Sequence, residues 1–228
     1  MKRFFSFILI FFTAFVYSES DESYLISTSS GKADGKIKKN VVIWEDIPYA
    51  HPPINELRWK APRKLKNSSA IIEPKEGNFC IQRTSSMGGS SQFSGESISG
   101  SEDCLYLDIY APSKRSDKLF PVMFWIHGGG NTSGLKDLYD FTKFVRKQNV
   151  IVVTINYRLG PLGWFTHPAI QGSHNGLDKS SNFGTLDIIS ALEWVNENIN
   201  SFGGDPKNIT IFGESAGGHN VLSLLVSK

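Results

Sequence analysis

The chain has 228 residues, of which 40% are hydrophobic and 20% are charged, and its formal net charge is +2. This composition is typical of a globular protein and argues against wholesale disorder and against a collagen-like or multi-span membrane protein. So small a net charge gives no support for binding to nucleic acid or to another polyanion. The length suits one domain of ordinary size or the first part of a larger one.

The first residues predict a secretory signal peptide over residues 1–18. Lys2 and Arg3 precede an apolar stretch of roughly 13 residues, and Val16 and Ser18 provide the small residues of a cleavage site. A membrane anchor is the alternative, but a bilayer span needs about 20 apolar residues. We therefore expect a secreted, extracellular protein whose mature domain is residues 19–228, with no membrane span and with 22 basic and 22 acidic residues.

Cys80 and Cys104 are the two cysteines of the chain. In an oxidising compartment they predict one disulfide that closes a loop rich in Ser and Gly, whereas two buried free thiols are the alternative. In the chain-entropy model, closing a loop of about 25 residues stabilises the fold by roughly 3.5 kcal/mol. Asn67 begins a glycosylation sequon in a polar stretch and is expected to carry sugar. Further sequons at Asn131 and Asn208 lie in segments assigned below to the site and the core, where we expect no sugar.

The N-terminal part of the mature chain predicts β-structure. Residues 24–27 and 41–44 are short β-rich runs separated by glycines, which indicates a hairpin or an edge ribbon. Residues 48–67 contain four prolines and predict an extended segment. Residues 105–110 then predict a strand that ends before Pro112.

The pattern changes after residue 119. Residues 120–126 and 150–155 are nearly continuous apolar runs, typical of parallel strands covered on both faces, and residues 138–147 between them have helical character. A helix is then predicted to end before Gly203, followed by a strand at 208–212 and a helix at 216–226. This alternation predicts an α/β fold, with a mostly parallel sheet and helices on both faces.

Residues 213–217 read Gly-Glu-Ser-Ala-Gly, the pattern G-x-S-x-G, directly between a predicted strand and a predicted helix. In this context the chain must reverse within about one residue, so that the serine hydroxyl is exposed above the start of the helix. There the helix dipole and the free amide of Ala216 favour a developing negative charge. A glycine-rich turn with an incidental serine is the alternative, and a second motif argues against it.

The second motif is His-Gly-Gly-Gly at residues 127–130, at the end of the first apolar strand. Such a loop supplies backbone N–H donors for the other half of an oxyanion hole, and glycine leaves them accessible. Two phosphate-binding patterns fail here. Ser133 stands where G-x-G-x-x-G needs its last glycine, and Leu135 stands where a P-loop needs lysine.

Six blocks of this sequence form a pattern, in order: IPYA at 47–50, EDCLYL at 102–107, HGGG at 127–130, NYRLG at 156–160, FGGDP at 202–206 and FGESAGG at 212–218. Together they resemble the N-terminal part of the type-B carboxylesterases, the family that includes cholinesterases and insect juvenile-hormone and detoxifying esterases.

The resemblance implies an α/β-hydrolase fold and a small-molecule ester as substrate, with no metal or cofactor. It implies Ser215 as nucleophile and an oxyanion hole formed by the amides of Gly129, Gly130 and Ala216. Glu214 resembles an acid that the family keeps beside the site, which suggests an electrostatic role, and His127 is expected to shape the glycine loop. The Cys80–Cys104 pair corresponds to a disulfide that the family uses.

The sequence departs from the family pattern at several positions. Asn131 replaces the aromatic residue that usually follows the glycines, Ile188 replaces a glutamine, and His219 replaces a small residue. The loop between Cys80 and Cys104 contains no tryptophan, which counts against a cholinesterase. No feature of the sequence indicates an oligomeric state.

The order of residues in a catalytic triad sets a further expectation. In α/β-hydrolases the acid and then the histidine follow the serine, whereas this sequence ends at Lys228. His219 lies within the first turns of the next helix, where we expect it to point away from the Ser215 hydroxyl. We therefore expect a truncated esterase, missing the C-terminal part of the fold and inactive as it stands. The alternative is a catalytically dead, neuroligin-like adhesion or binding module, although such relatives typically lose the serine.

Overall fold

A computed structural model describes residues 24–66, 68–75, 77–85, 98–114 and 116–227. The predicted signal peptide and Asn67 lie outside the described residues. The strands are β1 (Tyr24–Thr28), β2 (Gly31–Lys38), β3 (Val41–Pro48), β4 (Gln82–Arg83), β5 (Ile98–Ser99), β6 (Tyr106–Pro112), β7 (Phe120–Ile126), β8 (Ile151–Ile155) and β9 (Gly204–Gly213). The α-helices are α1 (Thr142–Gln148), α2 (Gly160–Gly163), α3 (Pro168–Ser173), α4 (Phe183–Asn198) and α5 (Ala216–Leu225), and 3-10 helices span Asn55–Leu57, Lys136–Leu138, Gly176–Lys179 and Ile199–Phe202.

Seven strands form one sheet in the order β1-β2-β3-β6-β8-β7-β9, and β4 pairs with β5 separately. The strand β7 runs parallel to both neighbours, β8 and β9, as the apolar runs predicted. The other pairings in the large sheet are antiparallel, so the sheet is mixed. A short turn explains one of these pairings, because Lys39 and Asn40, with φ of 52° and 63°, form the two-residue turn that joins β2 to β3.

Helices cover both faces of the sheet, which confirms the predicted α/β architecture. Val42, Phe124 and Ile188 belong to the larger core, between the sheet and helices α4 and α5. Val41 and Val145 belong to a smaller core under α1 on the opposite face. Because successive strand residues point to opposite faces, adjacent valines of β3 enter different cores. Among the described residues, no helix is long and apolar enough to cross a membrane.

The continuous helix predicted over residues 138–147 was wrong. A 3-10 turn ends at Leu138, and α1 begins only at Thr142. Between them, the rings of Tyr139 and Phe141 each lie 5.4 Å from the ring of Trp125 on β7. The segment is therefore extended so that both aromatic rings reach the sheet, a contact that a continuous helix could not make.

A buried ion pair connects α4 to the segment after β8. The Arg158 guanidinium donates to the two carboxylate oxygens of Asp187 over 2.8 Å each, and the Arg158 amide donates to the same carboxylate over 3.0 Å. Burial raises the pKa of Asp187 above its usual value, and Arg158 opposes that shift. The guanidinium also lies 5.3 Å from the centre of the Phe183 ring. This pair holds the start of α4 against the sheet.

Arg158→Met should lower the free energy of unfolding by about 3–5 kcal/mol, because it leaves the Asp187 charge buried without a partner. Lys64→Met is the matched control, since Lys64 pairs with Glu193 and Glu197 at the exposed surface. Its effect should stay below about 1 kcal/mol. Urea unfolding measures both variants. An equal, small loss in the two variants would contradict the structural role of Arg158.

Candidate active site

Ser215 lies at the junction of β9 and α5 with φ 54° and ψ −119°, a conformation that residues other than glycine rarely adopt. The neighbouring glycines make this turn possible. A Cβ atom on Gly213 would lie 2.5 Å from the carbonyl carbon of Gly217, and one on Gly217 would clash with the Ile126 oxygen. The backbone thus permits only glycine on either side, and the serine side chain is exposed at the end of the sheet.

The glycine loop after β7 lies directly against this turn. In the parallel register Ile126 pairs with Gly213, so both strands end at the same edge of the sheet. A Cβ atom on Gly128 would lie 2.8 Å from the Glu214 oxygen and 3.2 Å from the Ser215 Cβ. Glycine at 128 therefore allows the two backbones to approach each other closely.

The backbone amides of Gly129, Gly130 and Ala216 on these two segments have no acceptor among the described residues, and the same holds for the amides of Gly128, Asn131 and Ser215. The Gly129 carbonyl, by contrast, accepts from the amides of Thr132 and Ser133 over 3.1 and 3.0 Å. Gly129 and Gly130 have φ of 97° and 65°, which turns the loop sharply at this point. The structure brings the three residues implied by the family resemblance to two adjoining segments, with their N–H groups unpaired.

His127 is buried behind the glycine loop. Its Nδ1 lies 2.8 Å from the Gly128 oxygen, and its ring stacks on Tyr157 with centroids 4.3 Å apart. Its Nε2 has no hydrogen-bond partner in the described part of the chain. Burial lowers the pKa of His127 to about 4. The imidazole is therefore neutral at physiological pH, and its Nδ1 is engaged within the loop itself.

The other ionisable groups near the serine are exposed. The Glu214 carboxylate accepts from the Tyr139 hydroxyl over 3.1 Å. His219 follows one helical turn after Ser215, and its amide donates to the Ser215 carbonyl over 3.1 Å. No described side chain hydrogen-bonds the Ser215 hydroxyl. The described residues around Ser215 therefore include donors for an anion but no base in contact with the serine.

The segment that follows the glycine loop is held by Gln82, a residue that the sequence did not single out. Its side chain accepts from the Gly134 amide over 2.8 Å and donates to the Gly134 carbonyl over 2.9 Å. It also lies 3.0 Å from the Cys80 carbonyl, next to the Cys80–Cys104 disulfide. The predicted disulfide is thus confirmed, and it adjoins the loop through Gln82.

A buried charge cluster that the sequence did not indicate lies directly after the loop. The Lys136 ammonium lies 3.0, 2.9 and 2.9 Å from carboxylates of Asp46, Asp108 and Asp137. Burial would lower the pKa of Lys136, but the aspartates raise it above its usual value. No sequence pattern marked this site, because its members are far apart in the chain. In the described residues, no group of three or more His, Cys, Asp or Glu side chains is arranged to hold a metal ion.

The sequence of the chain is similar to those of known esterases. A family model described as "Carboxylesterase family" matches residues 22–228. The chain is 41% identical to the para-nitrobenzyl esterase of Bacillus subtilis (strain 168) over 204 residues, covering 88% of this chain and 40% of that protein. It is 38% identical to venom carboxylesterase-6 of Apis mellifera over 224 residues, covering 95% of this chain and 38% of that protein.

Solved structures of esterases are also similar to this chain. A thermophilic PNB esterase superimposes with a TM-score of 0.77 at 41% identity, over 88% of this chain and 40% of that one. The carboxylesterase of Geobacillus stearothermophilus superimposes with a TM-score of 0.74 at 38% identity, again over 88% and 40%. The chain spans about 40% of the length of the relatives that it matches.

The buried His127 should make stability depend on pH. Its pKa is about 4 in the folded chain against an ordinary 6.5, so below pH 6.5 the unfolded chain takes up a proton that the folded chain refuses. Stability should therefore fall as pH falls from 6.5 towards 4, by about 2 kcal/mol between pH 7 and 4.5.

Urea unfolding at pH 7 and 4.5 isolates this contribution when the wild type is compared with His127→Gln, whose side chain stays neutral at both pH values. The variant should lose about 2 kcal/mol less over the interval. Identical pH dependence in the two proteins would show that His127 titrates normally in the folded chain.

Proposed function

The chain belongs to the carboxylesterase family, and we propose that it provides the nucleophile, Ser215, and the oxyanion donors of a serine ester hydrolase. The strained backbone of Ser215, with φ 54° at the junction of β9 and α5, carries this proposal. Holding a residue in such a conformation costs about 1–3 kcal/mol, and such strain clusters at functional sites. An incidental serine in a glycine-rich turn would need neither the strain nor the approach of a second glycine loop.

The proposed reaction has two steps. The Ser215 Oγ attacks the carbonyl carbon of a carboxylic ester and gives its proton to a base; the bond to the alcohol then breaks, and the alcohol leaves with that proton. Water next attacks the acyl-enzyme, which releases the acid and restores the serine hydroxyl. In both steps negative charge develops on the carbonyl oxygen.

The oxyanion is bound by the amides of Gly129, Gly130 and Ala216. Support for this assignment is that all three lack an acceptor among the described residues and belong to the two segments that meet at Ser215. Preorganised N–H donors of this kind lower the barrier without reorganising during the reaction. The start of α5 at Ala216 adds a favourable dipole. The exposed Glu214 carboxylate favours a protonated base beside the nucleophile.

The described residues give Ser215 no such base. His127 is buried, neutral and bonded within its own loop, and His219 is exposed one turn along the helix. A base must come from outside these residues for full activity. We therefore expect the 228-residue chain to react slowly, about a million-fold below an enzyme with a complete triad.

A fluorophosphonate probe tests the nucleophile. The 228-residue chain should acquire the adduct slowly at Ser215, as measured by peptide mass spectrometry, and added imidazole should raise the rate by supplying a base. Ser215→Ala should abolish this adduct. Ser223 is an exposed serine on α5, and Ser223→Ala should react like the wild type.

The other outcomes are equally informative. Rapid labelling without imidazole would contradict the absence of a base. An adduct that persists in Ser215→Ala would exclude Ser215 as the nucleophile. No adduct in the wild type even with imidazole would favour the adhesion or binding module on the same fold.

We also propose that the protein is secreted, with cleavage after residue 18 and sugar on Asn67. The signal-like sequence of residues 1–18 and the Cys80–Cys104 disulfide support this proposal, since disulfides persist in oxidising compartments. Expressed in secretory eukaryotic cells, the chain should appear in the medium, begin at Glu19, and lose mass on treatment with peptide N-glycosidase. Asn67→Gln should remove that mass loss and Asn208→Gln should not; retention inside the cells would contradict secretion.

A further inference from the structure

Asn220 is a buried polar residue on α5, one helical turn after Ala216, with 4% of its surface exposed. Its side-chain amide donates to the Asn131 Oδ1 over 2.9 Å. The Tyr157 hydroxyl lies 3.4 Å from the same Asn131 Oδ1. The oxygen of one side chain, Asn131, thus connects the helix that follows the nucleophile to the segment after β8.

Asn220 and Tyr157 together reach opposite ends of the glycine loop. Asn131 is the last residue of that loop, and its own carbonyl accepts from the Gly160 amide over 2.7 Å. The Tyr157 hydroxyl donates to the carbonyl of His127, the first residue of the loop, over 2.7 Å. Residue 131 is thus held from α5, and the Tyr157 hydroxyl contacts both residue 127 and residue 131, with Gly129 and Gly130 between them.

Asn131 suits this role for two reasons. Its φ is 58°, and asparagine tolerates this left-handed conformation better than most residues. Its side-chain oxygen is also short enough to accept the Asn220 amide beside the backbone turn. An aromatic residue at 131, which the family pattern favours, could provide neither the conformation at low cost nor the acceptor.

We propose that Asn220 is a positioning residue that fixes the His127–Asn131 loop relative to the helix that follows the nucleophile. This inference rests on the proposed function, because it concerns the spacing between the amides of Gly129 and Gly130 and that of Ala216. The first two amides come from the end of β7 and the third from the end of β9. A displacement of about 1 Å between donors and reacting atoms costs roughly 100-fold in rate, so a direct tie between the segments matters for the chemistry.

Kinetics of fluorophosphonate labelling, measured with imidazole present, separate positioning from simple packing. Asn220→Leu removes the amide donor at similar volume, and Asn131→Gly removes the acceptor while glycine accommodates the positive φ. Each variant should lower the limiting labelling rate by about 10- to 100-fold with the half-saturating probe concentration unchanged. Since one interaction is lost in both, the double variant should be no slower than either single variant. Ser223→Ala is the control.

Amide hydrogen exchange tests the tie without any reaction. In the chain labelled with 15N-glycine, Asn220→Leu should speed exchange at Gly160, whose amide donates to the Asn131 carbonyl, by about 10-fold or more. Gly172 in α3, which contacts none of these residues, should be unaffected. Unchanged exchange at Gly160 would overturn the inference, as would an unchanged limiting rate. Failure of the proposed function is a separate result, because it appears as an adduct that survives Ser215→Ala or as no adduct in the wild type.

Discussion

The approach of two backbones at the end of the sheet is the constraint on which the rest of this structure depends. The loop after β7 passes so close to the turn after β9 that a Cβ atom on Gly128 or Gly217 would meet a carbonyl oxygen. Only glycine permits that spacing, and only parallel neighbouring strands end at one edge so that the two turns can meet. The positions of Ser215, the proposed nucleophile, and of its proposed oxyanion donors therefore depend on strand order as much as on the two motifs.

Keeping a glycine-rich loop in one conformation requires contacts from outside it, since glycine loses more conformational freedom on folding than any other residue. This chain supplies those contacts at both ends. Asn220 holds Asn131 at one end, and Tyr157 holds His127 at the other and also contacts Asn131. Gln82, beside the disulfide, holds the segment that follows the loop with two hydrogen bonds to Gly134. The disulfide thus stabilises the fold by restricting the unfolded chain, and it also borders the site.

The buried charges next to the loop are costly, because each ion loses several kcal/mol of hydration on burial. Lys136 offsets this cost with three aspartates and fixes the point at which the chain leaves the loop. Burial raises the pKa of Asp108, so this carboxyl holds a proton more readily than a surface aspartate. The buried pair of Arg158 and Asp187 likewise fixes the start of α4 against the sheet. Buried polar pairs therefore add to the apolar core in fixing the segments around the serine.

The sequence by itself determined the α/β class, the parallel strands, the disulfide partners and the two motifs, because these depend on local patterns: apolar runs, a single cysteine pair, and glycines around a serine or after a histidine. It could not place the start of the helix near residue 140, because the rings of Tyr139 and Phe141 pack on Trp125 of β7. Nor could it identify Gln82, Lys136 or Asn220. A polar residue in sequence resembles any exposed one, and only tertiary structure decides that it is buried and which distant group it must pair with.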